Sequence, residues 1–295
     1  MEALRIGIHT PSQGSLEKTA LKAAALGANT FQIFSASPRM WRAGTPDPAD
    51  IRGLARVRDG LDLTPLVIHD NYLINLASID PGNRAKSVVA FRGELERAAA
   101  IGAEYLVAHP GSYKGQSLEE GLRAVVQGLA EAALGIEAPH LTLLLECTAG
   151  CGSAIGSRFE ELHAIREAAS QHTPIRIGYC LDTCHLLAAG YDVSTEEGLL
   201  DTVAEAERIL GMENVKLIHA NDSKGALRSR LDRHANIGEG YIGEQGFQRI
   251  LAYPKLCKLP FILETPVDRD GDDIRNLETL KKLCPRSRTI TTKSN

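Results

Sequence analysis

Leu141-Thr-Leu-Leu-Leu-Glu146 is a short aliphatic run that stops on a carboxylate. It has the length of a strand covered on both faces, not of a buried helix. The pattern recurs along the chain. His109 lies 37 residues before Glu146, Asp182 lies 36 after it, and His219 another 37 beyond. Each stands at or next to the end of a similar run: Tyr105–His109, Arg176–Asp182 and Val215–Ala220. Further runs at Leu4–His9, Thr30–Phe34, Leu66–His69 and Phe261–Glu264 bring the number of predicted strands to eight. The segments between them are rich in Ala, Leu, Glu and Arg, which favour helix. Eight βα units predict an α/β fold of the (β/α)8 TIM-barrel class. The structural alternative, a doubly wound open sheet, lacks its usual signature. Thr10-Pro-Ser-Gln-Gly-Ser15 after the first strand is not a GxGxxG phosphate loop.

Helix boundaries are marked by local chemistry. Ser117-Leu-Glu-Glu120, Ser157-Arg-Phe-Glu160 and Ser194-Thr-Glu-Glu197 each fit a capping box. Asp47-Pro48 sets a capping carboxylate before a proline at the first helical position. Gly27, Gly60, Gly102 and Gly211 fit C-terminal caps. The organisation expected is one barrel domain over residues 1–284, with 285–295 as a polar, disordered tail.

Composition narrows the classes further. Hydrophobic residues make up 43% of the 295, enough for a sizeable core, yet no apolar run approaches a membrane helix. With no basic and apolar leader at the start, a cytoplasmic protein is the expectation. Six cysteines in such a chain are expected to be free thiols. A net charge of −4 speaks against a broad non-specific nucleic-acid footprint. It leaves room for a local site whose positive charge comes from bound cations.

In a barrel all strand C-termini converge on one face. His69, His109, Glu146, Asp182, His219 and Glu264 end six successive strands there. His185 follows Asp182 by three residues, and Asp232 and His234 are two apart, on one side of an extended segment. These five imidazoles and four carboxylates suit borderline divalent ions such as zinc or manganese. Nine ligands are too many for one ion and suit two or three, with water or substrate in open positions. Burying them together without cations would be costly. A multinuclear site of this kind points to hydrolysis at phosphorus. His9 faces the same pocket and is read as a supporting residue, whereas His140, His163 and His172 fall on helices or their ends.

Several local motifs carry a resemblance. Gly178-Tyr-Cys-Leu-Asp-Thr-Cys-His185, His219-Ala-Asn-Asp-Ser-Lys224, Asp232-Arg-His-Ala-Asn-Ile-Gly-Glu-Gly240 and Leu263-Glu-Thr-Pro266 together resemble endonuclease IV, the AP endonuclease family of base-excision repair. His69-Asp-Asn-Tyr-Leu-Ile-Asn75 and His109-Pro-Gly-Ser112 fit the same pattern. The resemblance implies three Zn²⁺ ions, with Mn²⁺ as an alternative at one site. His69 and His109 would serve the first, Asp182, His219 and Glu264 the second, and His185, Asp232 and His234 the third. Glu146 would bridge the first two and act as the catalytic carboxylate. It also implies duplex DNA with abasic sites as partner. Cleavage would fall 5′ to the abasic site, leaving a 3′-hydroxyl and a 5′-deoxyribose phosphate. Arg39, Tyr72 and Leu73 match positions that enter the DNA stack, and a monomer is the default. The chain departs from the family at Cys147, where asparagine is common, and at the additional thiol of Cys151. Trp41 and Tyr72 also fit ordinary loop packing, and Lys224, Arg228, Arg230 and Arg233 form a basic cluster that could meet phosphates. A metal-dependent barrel sugar isomerase or epimerase is the alternative, which would need only one or two ions. A catalytically silent DNA-damage binder on the same scaffold is the second.

Overall fold

The computed structural model describes residues 4–285. The proposed tail from 286 onward lies outside the described residues. The first half runs β1 (Ile6–His9), α1 (Leu16–Ala25), β2 (Thr30–Phe34), α2 (Pro48–Leu61), β3 (Leu66–His69), α3 (Pro81–Ala100), β4 (Tyr105–Ala108) and α4 (Leu118–Ala133). The second half runs β5 (Thr142–Glu146), α5 (Phe159–Ala169), β6 (Arg176–Asp182), α6 (Thr183–Ala189), α7 (Glu196–Ile209) and β7 (Val215–His219). Two-residue strands β8 (Asp222–Ser223) and β9 (His234–Ala235) follow, then α8 (Gly243–Ala252), β10 (Phe261–Leu263) and α9 (Asp272–Leu283). Strands β1 to β7 and β10 close into a barrel in which every neighbouring pair is parallel. The short β8 and β9 pair antiparallel outside it.

The apolar residues fall into two cores for a simple reason. Strand side chains alternate, so one set points outward to the helices and the other into the barrel. The outward set joins helix residues such as Leu54, Phe91, Leu129 and Phe247 in the large core. The inward set forms a small plug of Val67, Val107, Leu144, Cys180, Leu217 and Ile262, one residue from each of six strands. Two residues beyond each plug residue, on the same inward face, stand His69, His109, Glu146, Asp182, His219 and Glu264. The candidate ligands are thus the next inward position above a dry plug. That is how ordinary strand alternation delivers six polar groups to one place.

Three details differ from the sequence reading. Helix α5 starts with Arg158 at its N-cap and makes no capping-box bond to Ser157. The nearby backbone donor, Gly156 N–H, goes to the Glu161 carboxylate instead. At α7 the cap is Thr195, which accepts from Gly198 N–H, while the Ser194 and Thr195 hydroxyls both donate to Asp192. Gly60 lies inside α2, and Asp62 takes the left-handed closing position (φ 51°) in its place. The Ser117/Glu120 box, the Asp47 cap and the positive-φ glycines at 27, 102 and 211 are as expected.

Candidate metal centre

Asp182 shows how tightly local folding and site geometry are joined. It ends β6 and is also the N-cap of α6, its Oδ1 accepting from His185 N–H at 2.8 Å. Its Oδ2 accepts from the Asn221 amide at 2.6 Å. The cap places His185 in the first turn of α6, facing the barrel mouth. Asp232 and His234 come from the β8–β9 loop and meet it from the other side.

Of five possible ligand clusters among the described residues, two bring in Cys180 or Cys184, and the other three groups together hold all nine residues. In each, one ligand atom per residue lies within 4.8 Å of all the others: His69, His109 and Glu146; Glu146, Asp182, His219 and Glu264; and His185, Asp232 and His234. Glu146 is the member that the first two share, and it is completely buried. Its Oε2 meets His69 Nε2 at 3.1 Å, and its Oε1 meets His219 Nδ1 at 2.9 Å. Above the groups opens a cavity of about 420 Å³ lined by His69, Tyr72, His109, His185 and Asp232.

Backbone carbonyls orient the imidazoles. Nδ1 of His69 meets Asp70 O at 3.1 Å, that of His185 meets Cys147 O at 2.9 Å, and that of His234 meets Glu264 O at 3.0 Å. A carbonyl only accepts, so these rings carry their proton on Nδ1 and turn Nε2 inward. His219 is reversed, with Nδ1 inward and Nε2 on the Gln32 side-chain oxygen at 2.8 Å. This is the pattern by which supporting hydrogen bonds fix metal-binding histidines.

The donor set fits divalent cations on two independent grounds. His185 Nε2 and His234 Nε2 are buried without a hydrogen-bond partner. Asp232 Oδ1 stands 3.2 Å from the former, close enough for charge attraction but off the hydrogen-bonding direction. The charges tell the same story. Burial pushes the His69 imidazole down, but the hydrogen bond and charge of Glu146 outweigh it and raise it to about 10. His185 and His219 are likewise raised against burial, by Asp182 and by Glu264 respectively. Burial would raise the Glu264 carboxyl, yet His219 holds it down at about 2. Glu146 is held well below the carboxylate range against burial, chiefly by His219 and His109. Without cations, protons on the imidazoles balance the buried carboxylates.

Other expected residues are placed as follows. His9 lines the cavity and meets Gln32 at 3.0 Å through Nδ1. His140 and His172 are exposed and half-buried His163 lies on α5, all outside the three groups. All six cysteines are free. Cys147 takes over part of the supporting role: its sulfur accepts from Asp182 N–H at 3.1 Å, besides the carbonyl contact to His185. Tyr72 is 65% exposed at the cavity rim, packed edge-on to Phe34 at 5.2 Å. Its backbone N–H donates to Pro38 O at 3.2 Å, joining its loop to the one that carries exposed Arg39 and half-buried Trp41. Leu73 is half-buried. Lys224, Arg228, Arg230 and Arg233 are all exposed. Arg228 and Arg230 take left-handed backbone, at φ 65° and 53°. Their N–H groups are tied to the Leu187 and Ala188 carbonyls of α6. Such strain persists only where its surroundings enforce it.

Sequence reading missed Gln32, Asn221 and Asp222. The last accepts from the backbone N–H of Ser223, Gly238, Gly240, Ile242 and Gly243. It thereby ties β8 to the backbone that follows β9, the short strand on which His234 stands. The available signal was polarity inside strand-like apolar runs, at inward parity for Gln32.

A parallel eight-stranded barrel with imidazole and carboxylate groups at its C-terminal mouth defines a TIM-barrel protein with a candidate metal centre. The family described as xylose isomerase-like TIM barrel matches residues 20–283. A protein of Solibacter usitatus named probable endonuclease 4 is 60% identical over 281 residues, which cover 95% of this chain and 97% of that one. The crystal structure of endonuclease IV from Thermus thermophilus superposes with a TM-score of 0.81 at 38% identity, over 95% of this chain and 98% of that one. A D-tagatose 3-epimerase-like protein shares the fold, with a TM-score of 0.68 at 22% identity and coverage of 95% and 97%. The chain belongs to the endonuclease 4 family of DNA-cleaving hydrolases.

Proposed function

We propose that the protein hydrolyses the phosphodiester 5′ to an abasic site in duplex DNA, acting as a monomer with three zinc ions, manganese being an alternative in the third group. The observation that carries this reading is the fall of nine side chains into three groups, the first two sharing Glu146. His69 and His109 would hold the first ion, Asp182, His219 and Glu264 the second, and His185, Asp232 and His234 the third. Glu146 would serve both first and second. Bound divalent ions there would supply charge stabilisation to a phosphodiester and lower the pKa of water.

The chain's own residues do the rest. Glu146 holds His69 and His219 in place from one carboxylate, so the spacing of the first two groups is set by a rigid strand end. Extrusion of a sugar-phosphate unit into the cavity above them would cost least for a nucleotide already lacking its base. Tyr72 and Arg39, on loops joined to each other, would enter the duplex, with half-buried Leu73 assisting. The exposed arginines of the β8–β9 loop can meet phosphates on the flank.

The test is cleavage of a duplex that carries one abasic-site analogue, before and after chelation, with metal content measured in parallel. Cleavage confined to that site, lost on chelation and restored by zinc, is expected. Equal cleavage of undamaged duplex, or full activity with one ion per chain, would overturn the reading.

A further inference from the structure

Counting inward positions around the whole barrel brings in the two strands that supplied no candidate ligand. On β1 the inward pair is Gly7 and His9, and on β2 it is Thr30 and Gln32. They are paired in register, Gly7 with Thr30 and His9 with Gln32. His9 and Gln32 therefore complete the inward ring formed by His69, His109, Glu146, Asp182, His219 and Glu264. Gln32 is the one member of that ring that can neither ionise nor serve as a strong ligand. It is completely buried.

Its hydrogen bonds have a fixed direction. Glu264 is ionised and can only accept, so the Gln32 amide nitrogen must face it. That orientation puts the amide oxygen on His219 Nε2, 2.8 Å away, which must then carry the ring proton. The second amide hydrogen points to His9 Nδ1 at 3.0 Å, which must then be the unprotonated nitrogen. The proton of His9 is left on Nε2. That atom is buried and has no partner among the described residues, while His9 lines the cavity over the metal groups.

We propose that Gln32 is a positioning residue which sets the proton on two histidines at once: it keeps His219 Nδ1 free for the second ion, and it makes His9 Nε2–H a donor to an oxyanion of the substrate phosphodiester. This rests on the proposed metal-dependent phosphodiester hydrolysis. Gln32 touches neither metal nor substrate and acts through its neighbours. His9 is a neutral contact in the cavity, adding direction where ions supply only charge.

The experiment begins with the unaltered, metal-loaded protein. Proton–nitrogen correlation NMR of histidine side chains should find the proton on Nε2 in both His219 and His9. A proton on Nδ1 of either ring overturns the proposal without any substitution, so a variant that fails to fold cannot shelter it. Two variants follow. Gln32→Met keeps the length and removes both hydrogen-bonding ends. It should hold one of the ions about 10- to 100-fold more weakly than the parent. His9→Phe keeps the ring packed against Phe34, 4.4 Å away. It should retain the full ion count but lose about 10- to 100-fold in kcat/KM on abasic duplex. Unchanged ion release in Gln32→Met refutes the positioning role, and unchanged kcat/KM in His9→Phe refutes the donor role. Parent protein that carries no divalent ion refutes the metal-dependent reading itself, a separate outcome.

Discussion

Glu146→Gln tests the centre at the residue on which two groups depend. The substitution preserves volume in a fully buried position, so packing is nearly unchanged. What it removes is one negative charge and one good ligand oxygen. That charge sits 2.9 Å from His219 Nδ1, 3.1 Å from His69 Nε2 and 3.5 Å from both His109 Nε2 and His185 Nδ1. No other carboxylate approaches four of the imidazoles this closely, and the first group contains no other carboxylate at all. The amide would also turn a donor toward an inward nitrogen or an ion. Cleavage should fall at least ~10²-fold, the scale of losing a group that organises the reacting centre. Fold should persist, because the core is made of strand interiors and helix faces below the site. The assay pairs single-turnover cleavage of abasic duplex with metal content and thermal melting. Near-normal turnover with the full ion count would refute the shared role of Glu146. Loss of the cooperative melt would show that it is structural instead.

Tyr72→Ala and Arg39→Ala should weaken binding or cleavage of abasic duplex while metal content stays constant; loss of metal would make them packing residues. Asp222→Ala orphans five backbone donors. At ~1 kcal/mol or more each that is several kcal/mol. The ion at His185, Asp232 and His234 should be lost first, and a variant with three tightly held ions would refute that tie. Metal uptake should release protons and strengthen with rising pH, because His69, lifted to about 10, is protonated in metal-free protein at neutrality; pH-independent uptake in a weakly buffered titration would contradict this. The same shift has a stability sign. A raised folded-state value contributes stability fully below the unfolded value of 6.5 and loses it as pH climbs through about 10. His69 should therefore make metal-free protein less stable over that interval, in a way that loaded protein is not.

The barrel was legible because its strands are buried on both faces and so read mostly as aliphatic runs, all but Thr30–Phe34 followed or closed by an imidazole or carboxylate. The candidate ligands were legible for the same reason, since an imidazole or carboxylate stands out at the end of a run such as Leu143-Leu-Leu-Glu146. Helix starts were less clear where two capping residues adjoin. Ser194 and Thr195 both qualify, both hydroxyls donate to Asp192, and only Thr195 also accepts from Gly198 N–H. Gln32 was invisible for a different reason. One amide within Thr30–Phe34 makes no pattern of its own, and its importance comes from Glu264 and His219, more than 180 residues away in sequence. Asp222 is similar, since its partners are backbone groups that sequence does not distinguish.

The three groups also differ in how they are held. The first two are built almost wholly from barrel strand ends above a dry plug, where the ladder fixes each Cα. The third takes one residue from the start of a helix and two from a loop. It is kept in register by two carboxylates: Asp182, which caps α6 beneath His185, and Asp222, which ties β8 to the backbone just after β9 and so holds the strand that starts with His234. Asp182 belongs to the second group as well. Its placement at the barrel end thus sets where the third group begins, and the two centres cannot move independently. A phosphodiester gripped from three directions needs that constancy of distance, because small displacements of reacting groups are costly in rate.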